Sequence, residues 1–193
     1  MKRMHERLDM MANCDEYLRR REQGEKEARA LVDGISAKLT EKRSASARKV
    51  EKDIIASLKT LGMPNVRFQV CISPTNAPTP RGMDKVTFLF SANLGSEMQS
   101  ISQVASGGET ARVMLSLKAV LSGAMSLPTI IFDEIDTGVS GKIAERMALI
   151  MQEMGETDRQ VISITHLPQI AARGTTHYRV YKEDTDTGTT SHL

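Results

Sequence analysis

The chain has no tryptophan, only 4% of its 193 residues are aromatic, and it holds two cysteines. A core so poor in rings has to be aliphatic, and 12 methionines supply adaptable filling in their place. Cys14 and Cys71 belong to no C-x-x-C pair, so neither a disulfide framework nor a thiolate metal site is expected. No apolar run approaches the roughly 18–20 residues of a membrane helix, and the N-terminus lacks a signal-like apolar region. A soluble, cytoplasmic protein is expected on those grounds. Charge of one sign is scarce too, since the formal net charge is +2. Residues 1–60 hold 15 of the 26 Lys and Arg and 11 of the 24 Asp and Glu, a net of +4, and the remainder is net −2. Such mixed charge reads first as a solvated helix face, and no dense basic stripe marks a nucleic-acid surface. A further absence matters more: no G-x-x-x-x-G-K-[ST] phosphate loop occurs anywhere.

Proline is missing before Pro64, and the stretch up to residue 61 is rich in Lys, Glu, Arg, Ala and Leu, which favour helix. Ala28, Leu31, Ile35 and Leu39, then Ala47, Val50, Ile54, Leu58 and Leu61, step by threes and fours along one face. A stripe this narrow over such a length suggests one strand of a coiled coil, with its antiparallel partner absent. The pattern falters at Arg19–Gly24, where a break or kink is expected. Gly62-Met-Pro64 ends the helix. Residues 1–61 are thus a helical arm and 62–193 a globular lobe. Within the lobe, Val66–Ile72 and Lys85–Phe90 read as strands of a hairpin joined by a Pro-rich loop over 74–82. The rhythm then becomes helix (about 108–124), strand (129–133), helix (140–154), strand (161–165) and short helix (168–173). That alternation predicts an α/β lobe with a mostly parallel sheet, its strands buried on both faces by covering helices. Tyr178–Tyr181 reads as another strand and Asp184–Gly188 as a turn, after which the chain looks clipped.

Chemistry concentrates at three places. Thr129-Ile-Ile-Phe-Asp133-Glu134 is an apolar strand delivering two adjacent carboxylates to the edge where open α/β sheets bind ligands. Asp133 there can hold Mg²⁺ through oxygen ligation, and Glu134 can orient or deprotonate a water. By itself the pair also reads as a solvated strand end. Ser106-Gly-Gly-Glu109 opens a helix whose glycines allow close backbone approach and whose free N–H groups suit a phosphate. Taken alone, it reads as a capping box formed by Ser106 and Glu109. Thr165-His166 follows the next apolar strand, so its imidazole should lie at the same edge. His5, His177 and His192 have no such setting. Gly141-Lys142 is no phosphate loop, because Asp136 and Ile143 occupy positions that loop reserves for Gly and Ser or Thr. Ser140 caps the following helix instead, and Asp136 can reach across an interface.

In this order the elements resemble ABC-type ATPase heads: Ser106–Glu109 matches the signature motif, Asp133-Glu134 the Walker B pair, Asp136 the D-loop and His166 the switch histidine. The resemblance narrows to the SMC-like branch and, within it, to the RecN family of bacterial DNA-repair ATPases. It rests on Leu61-Gly-Met63, Phe88–Asn93, Val104–Glu109, Phe132–Gly141 and Ile164–Gln169, with Thr110-Ala111 departing from the family's usual Leu-Ser. What it implies is the C-terminal lobe of an ATPase head preceded by the returning coiled-coil helix, acting in double-strand break repair and recombination. Walker A would come from an N-terminal lobe. ATP and Mg²⁺ would be bound in a dimer of two heads, with Ser106, Gly107, Gly108 and Glu109 of one serving the nucleotide of the other. Asp133, Glu134 and His166 would serve their own head's ATP. DNA would be met through the full-length protein in the nucleoid, and this chain alone would be inactive. A chromosome-organising SMC head would share the catalytic residues but not Thr137–Gly141, and a non-enzymatic coiled-coil adaptor would need none of them.

Overall fold

The computed structural model describes residues 2–103, 106–125, 127–156, 159–185 and 188–193. Val104 and Ala105 of the signature segment, and Asp186 and Thr187 of the expected turn, lie outside the described residues. The chain forms two compact units, one of residues up to Arg48 with Cys71–Thr87, the other of Lys49–Val70 with Phe88–Leu193.

Helix α1 (Lys2–Thr60) passes through both Gly24 and Gly34 without a break. The interruption expected near Gly24 is absent because one exposed glycine costs only about 1 kcal/mol relative to alanine, too little to stop a long helix that is already nucleated. In the first unit the apolar stripe is exposed at Leu31 and Ile35, 64% and 57%, and partly covered at Leu39. Strands β1 (Arg67–Thr79) and β2 (Gly82–Ser91) form a hairpin much longer than expected. Residues 74–79 belong to β1 rather than to a loop. Pro74 and Pro78 are accommodated because β1 is an edge strand. The turn is confined to Pro80-Arg81, with Gly82 at φ +98° and the Thr79 hydroxyl donating to the Gly82 carbonyl at 2.7 Å. In this unit α1 holds the hairpin through Asp84, which accepts from Thr40 (2.8 Å) and pairs with Arg43 (2.8 Å). Arg43 also donates to the Arg81 carbonyl at 2.7 Å.

In the second unit α1 ends in a Schellman motif. Gly62 adopts φ +80°, its N–H reaches the Lys59 carbonyl (3.2 Å), and Met63 N–H reaches Leu58 (3.1 Å). Leu58 and Met63 are both buried in one cluster with Ile54, Phe68, Phe90 and Val113. The remaining carbonyls are met from elsewhere: Arg112 donates to Leu61 at 3.1 Å and Arg146 donates to Thr60. A short strand β3 (Gln99–Ser100) pairs antiparallel with β2, and a single 3-10 turn follows.

Helix α2 (Gly107–Ala124) is the wall between two cores. Val113 faces the cluster at the end of α1, while Ala111 and Leu115 face a second cluster built on Phe132 and Met147. Strand β4 (Thr129–Asp133), helix α3 (Gly141–Gly155) and strand β5 (Gln160–Ile164) form a parallel β-α-β unit in which Asp133 pairs with Ile164. The buried stripe of α3 is Ala144, Met147, Ala148, Met151 and Met154, with Ile143 and Ile150 only partly covered. Helix α4 (Pro168–Ala171) is one turn, and β6 (Tyr181–Thr185) pairs antiparallel with β7 (Gly188–His192). The expected strand over Tyr178–Tyr181 begins only at Tyr181.

The fold is α/β as expected, with parallel pairing at β4–β5 among the described residues. Burial of that pair on both faces is not found. Ile130 and Phe132 face the core, whereas Ile131, Ile162 and Ile164 are 54%, 40% and 53% exposed. Helices cover one face here and leave the other, apolar face open.

Candidate functional site

The carboxyl ends of β4 and β5 coincide, and every singled-out group after Asp133 leaves from that edge. Strand alternation puts Asp133 on the open face beside Ile131 and Ile164, where it is exposed. Glu134 extends the ladder by one bond, its N–H reaching the Ile164 carbonyl at 3.1 Å. It then takes φ +45°, the one described non-glycine residue at positive φ. A non-glycine residue held there costs about 1–3 kcal/mol and persists only where neighbours fix it. The fixing groups are Thr137, whose N–H (3.2 Å) and hydroxyl (2.9 Å) both donate to the Glu134 carbonyl. The Glu134 side chain is exposed, and among the described residues no hydrogen bond or ion pair engages it or Asp133.

The turn carries the chain to Asp136, which is fully buried. This corrects the expectation that Asp136 reaches across an interface: its carboxylate points inward because the Thr165 hydroxyl donates to Oδ2. Leu167 N–H in turn donates to Thr165 Oγ1 at 3.0 Å. His166 Nδ1 stands 3.7 Å from the same Asp136 oxygen, with the imidazole otherwise largely exposed. Among the described residues Asp136 Oδ1 has no hydrogen-bond partner. The edge thus gathers Asp133, Glu134, Asp136 and His166, with Glu134 and His166 issuing from adjacent strands.

Gly138 follows at φ +75°, and its carbonyl lies over the first turn of α2: a Cβ added to Gly108 would sit 2.6 Å from that oxygen. Only glycine on both sides permits this approach. It brings the Ser106–Glu109 segment against the loop that leaves Glu134. Ser106 takes the N-cap position with extended backbone, but its hydroxyl makes no capping bond, so the capping box expected with Glu109 does not form. Its carbonyl accepts both the Thr110 N–H at 3.0 Å and the Thr110 hydroxyl at 2.9 Å. Ser140 likewise precedes α3 without a side-chain cap. Arg112 bonds the Gly108 carbonyl (2.9 Å) with one nitrogen and the end of α1 with another.

Sequence reasoning singled out Asp133, Glu134, His166 and the glycine pair, but not the contacts made by Thr165, Gly138 and Arg112. Thr165 is written beside His166, yet its hydroxyl matters only because the loop returns Asp136 to it. A divalent ion finds no cluster of three or more His, Cys, Asp or Glu among the described residues. One exposed strand-end carboxylate suits Mg²⁺ only where phosphates and waters complete the shell.

No family model matches the chain. It is 36% identical over 196 residues to a Deinococcus radiodurans protein named DNA repair protein RecN, covering 96% of this chain and 34% of the relative. The Bacillus subtilis protein of that name is 34% identical over 206 residues, covering 99% and 36%. The Synechocystis relative is 41% identical over 145 residues, covering 75% and 24%. The chain therefore spans about a third of the length of the Deinococcus and Bacillus relatives. Among solved structures, a Pyrococcus yayanosii Smc head domain with a coiled coil and joint aligns with TM-score 0.58 at 20% identity, covering 90% of this chain and 32% of that one. A structure described as ATP-driven dimerization and DNA-stimulated activation of SMC ATPases aligns with TM-score 0.52 at 17% identity, covering 78% and 84%. Those likenesses give the fold, an SMC-type head lobe with a coiled-coil helix. The sequence relatives give the family: over the third of their length that it matches, the chain belongs to the RecN family.

Proposed function

We propose that this chain is the C-terminal lobe of a RecN-like ATPase head that works on broken DNA, completed by an N-terminal lobe carrying the phosphate loop. The observation that supports it most is the open face of β4–β5. Three isoleucines and Asp133 occupy a parallel sheet face that proteins of this class keep covered. A partner that covers the isoleucines also brings its phosphates to Asp133.

In that head Asp133 would hold Mg²⁺, which would supply charge neutralisation to the phosphates. Glu134, exposed and unpaired, orients the attacking water and accepts its proton. His166 presents its outer nitrogen to the edge where the terminal phosphate and its attacking water would meet. Ser106, Gly107, Gly108 and Glu109 would offer helix-start N–H groups and the Ser106 hydroxyl, which makes no capping bond, to a triphosphate held by a second head, consistent with the ATP-driven dimerization described for SMC ATPases. Asp136 serves this site from inside. DNA engagement belongs to the full-length protein, and a cytoplasmic, nucleoid-associated setting follows from that role. Among the described residues no helix is long and apolar enough to cross a membrane.

Purified alone, the chain should hydrolyse no ATP. Mixed with a phosphate-loop-bearing N-terminal lobe it should gain activity that Glu134→Gln lowers by about 100-fold or more. A coiled-coil adaptor gains none. Hydrolysis by the isolated chain that survives Glu134→Gln would overturn the reading.

A further inference from the structure

We infer that Asp136 is a positioning residue that, with Thr165, sets which nitrogen of His166 carries the proton. The inference deepens the proposed ATPase reading, since it concerns the histidine assigned there to the terminal phosphate. Asp136 is fully buried, yet among the described residues its Oδ1 has no hydrogen-bond partner. A buried carboxylate left half satisfied is costly, so an enclosed group of this kind calls for a donor or a cation nearby. Among the described residues His166 is the basic side chain within 4 Å, its Nδ1 at 3.7 Å from Oδ2. The Thr165 hydroxyl pins that same oxygen, and the Leu167 N–H pins the Thr165 oxygen at 3.0 Å. The carboxylate is therefore fixed by the strand end that carries the imidazole, on the side of Nδ1.

A negative charge held at Nδ1 favours the tautomer with its proton there, leaving Nε2 as the bare nitrogen on the exposed side. Geometry and charge agree: the imidazole is largely exposed, with Nδ1 on the side of the buried carboxylate.

The tautomer can be read directly, without turnover. Long-range ¹H–¹⁵N correlation spectra of the histidine-labelled 193-residue chain, at about pH 8 where an ordinary imidazole is neutral, should show His166 with Nδ1 protonated and Nε2 bare. Asp136→Asn should move the population to the Nε2-protonated form, Thr165→Val should move it part of the way, and Thr165→Ser should restore the wild-type pattern. An Nε2-protonated His166 in the unaltered chain overturns the inference whether or not any variant folds. So does an unchanged His166 spectrum in a folded Asp136→Asn chain. Because the spectra need no ATP, they can fail while the ATPase reconstitution succeeds, and the reverse.

Discussion

Gly108 and Gly138 meet backbone to backbone, and that contact joins the two halves of the candidate site. An alanine at 108 would place its methyl 2.6 Å from the Gly138 carbonyl oxygen, which is backbone and cannot swing away. Among the described residues nothing lies within 4 Å of a Cβ added at Gly107. The two neighbouring glycines should therefore respond oppositely. Gly108→Ala should cost about 1–3 kcal/mol through overpacking, whereas Gly107→Ala should be neutral or gain up to about 1 kcal/mol from helix propensity. Urea denaturation midpoints of the two variants test this. Equal effects would mean that the close approach is unimportant. Glu134 shows the same principle in another form, since its backbone strain is held by Thr137 and the Ile164 carbonyl. The doublet of glycines and the doublet of acids were legible in the sequence, because those residue types are unusual at such places. Their partners were not, because Gly138 and Thr165 are ordinary residues until the loop folds back.

Among the elements, α1 changes character along its length. Its early stripe is exposed at Leu31 and Ile35, while its end is buried at Ile54 and Leu58 and capped by Gly62, Arg112 and Arg146. The sequence period shows one continuous stripe and cannot tell which half finds cover. The long hairpin has a different anchor. The Arg43 guanidinium first, and then the Thr40 hydroxyl, hold the Asp84 carboxyl below its usual range. A carboxyl lowered on folding adds stability that is complete above the unfolded value of about 3.9 and is lost as pH falls through the lower folded value. The hairpin should thus keep its hold on α1 down to about pH 4 and release it below. Asp84→Asn should remove that acid dependence. Hydrogen exchange of the residue 71–87 amides should show faster opening in Asp84→Asn at neutral pH, with amides of α2 and α3 unchanged. Uniform acceleration throughout the chain would contradict a local anchor.

For the molecule as a whole, the open face of β4–β5 is the feature with the widest consequence. Ile131 and Ile162 pair in register there and contribute little to the chain's own core. Replacing each with lysine should change the chain's stability by no more than about 0.5 kcal/mol per site. Binding of the proposed N-terminal lobe should weaken by at least about 10-fold, the loss typical of a central apolar anchor. Calorimetry of lobe association alongside denaturation of the variants separates the two. A large loss of intrinsic stability would mean that the face is already covered within the chain. The sequence by itself determined the α/β alternation, the long helix and the family, because periodicity and local residue chemistry are written in order along the chain. It also carried the absence of a phosphate loop. Only the tertiary structure decided that Asp136 turns inward to Thr165 and His166, that β1 runs through its prolines, and that one sheet face stays bare. Those outcomes depend on which distant residues meet, on whether an edge is free and on what remains uncovered, and none of these is a property of neighbouring residues.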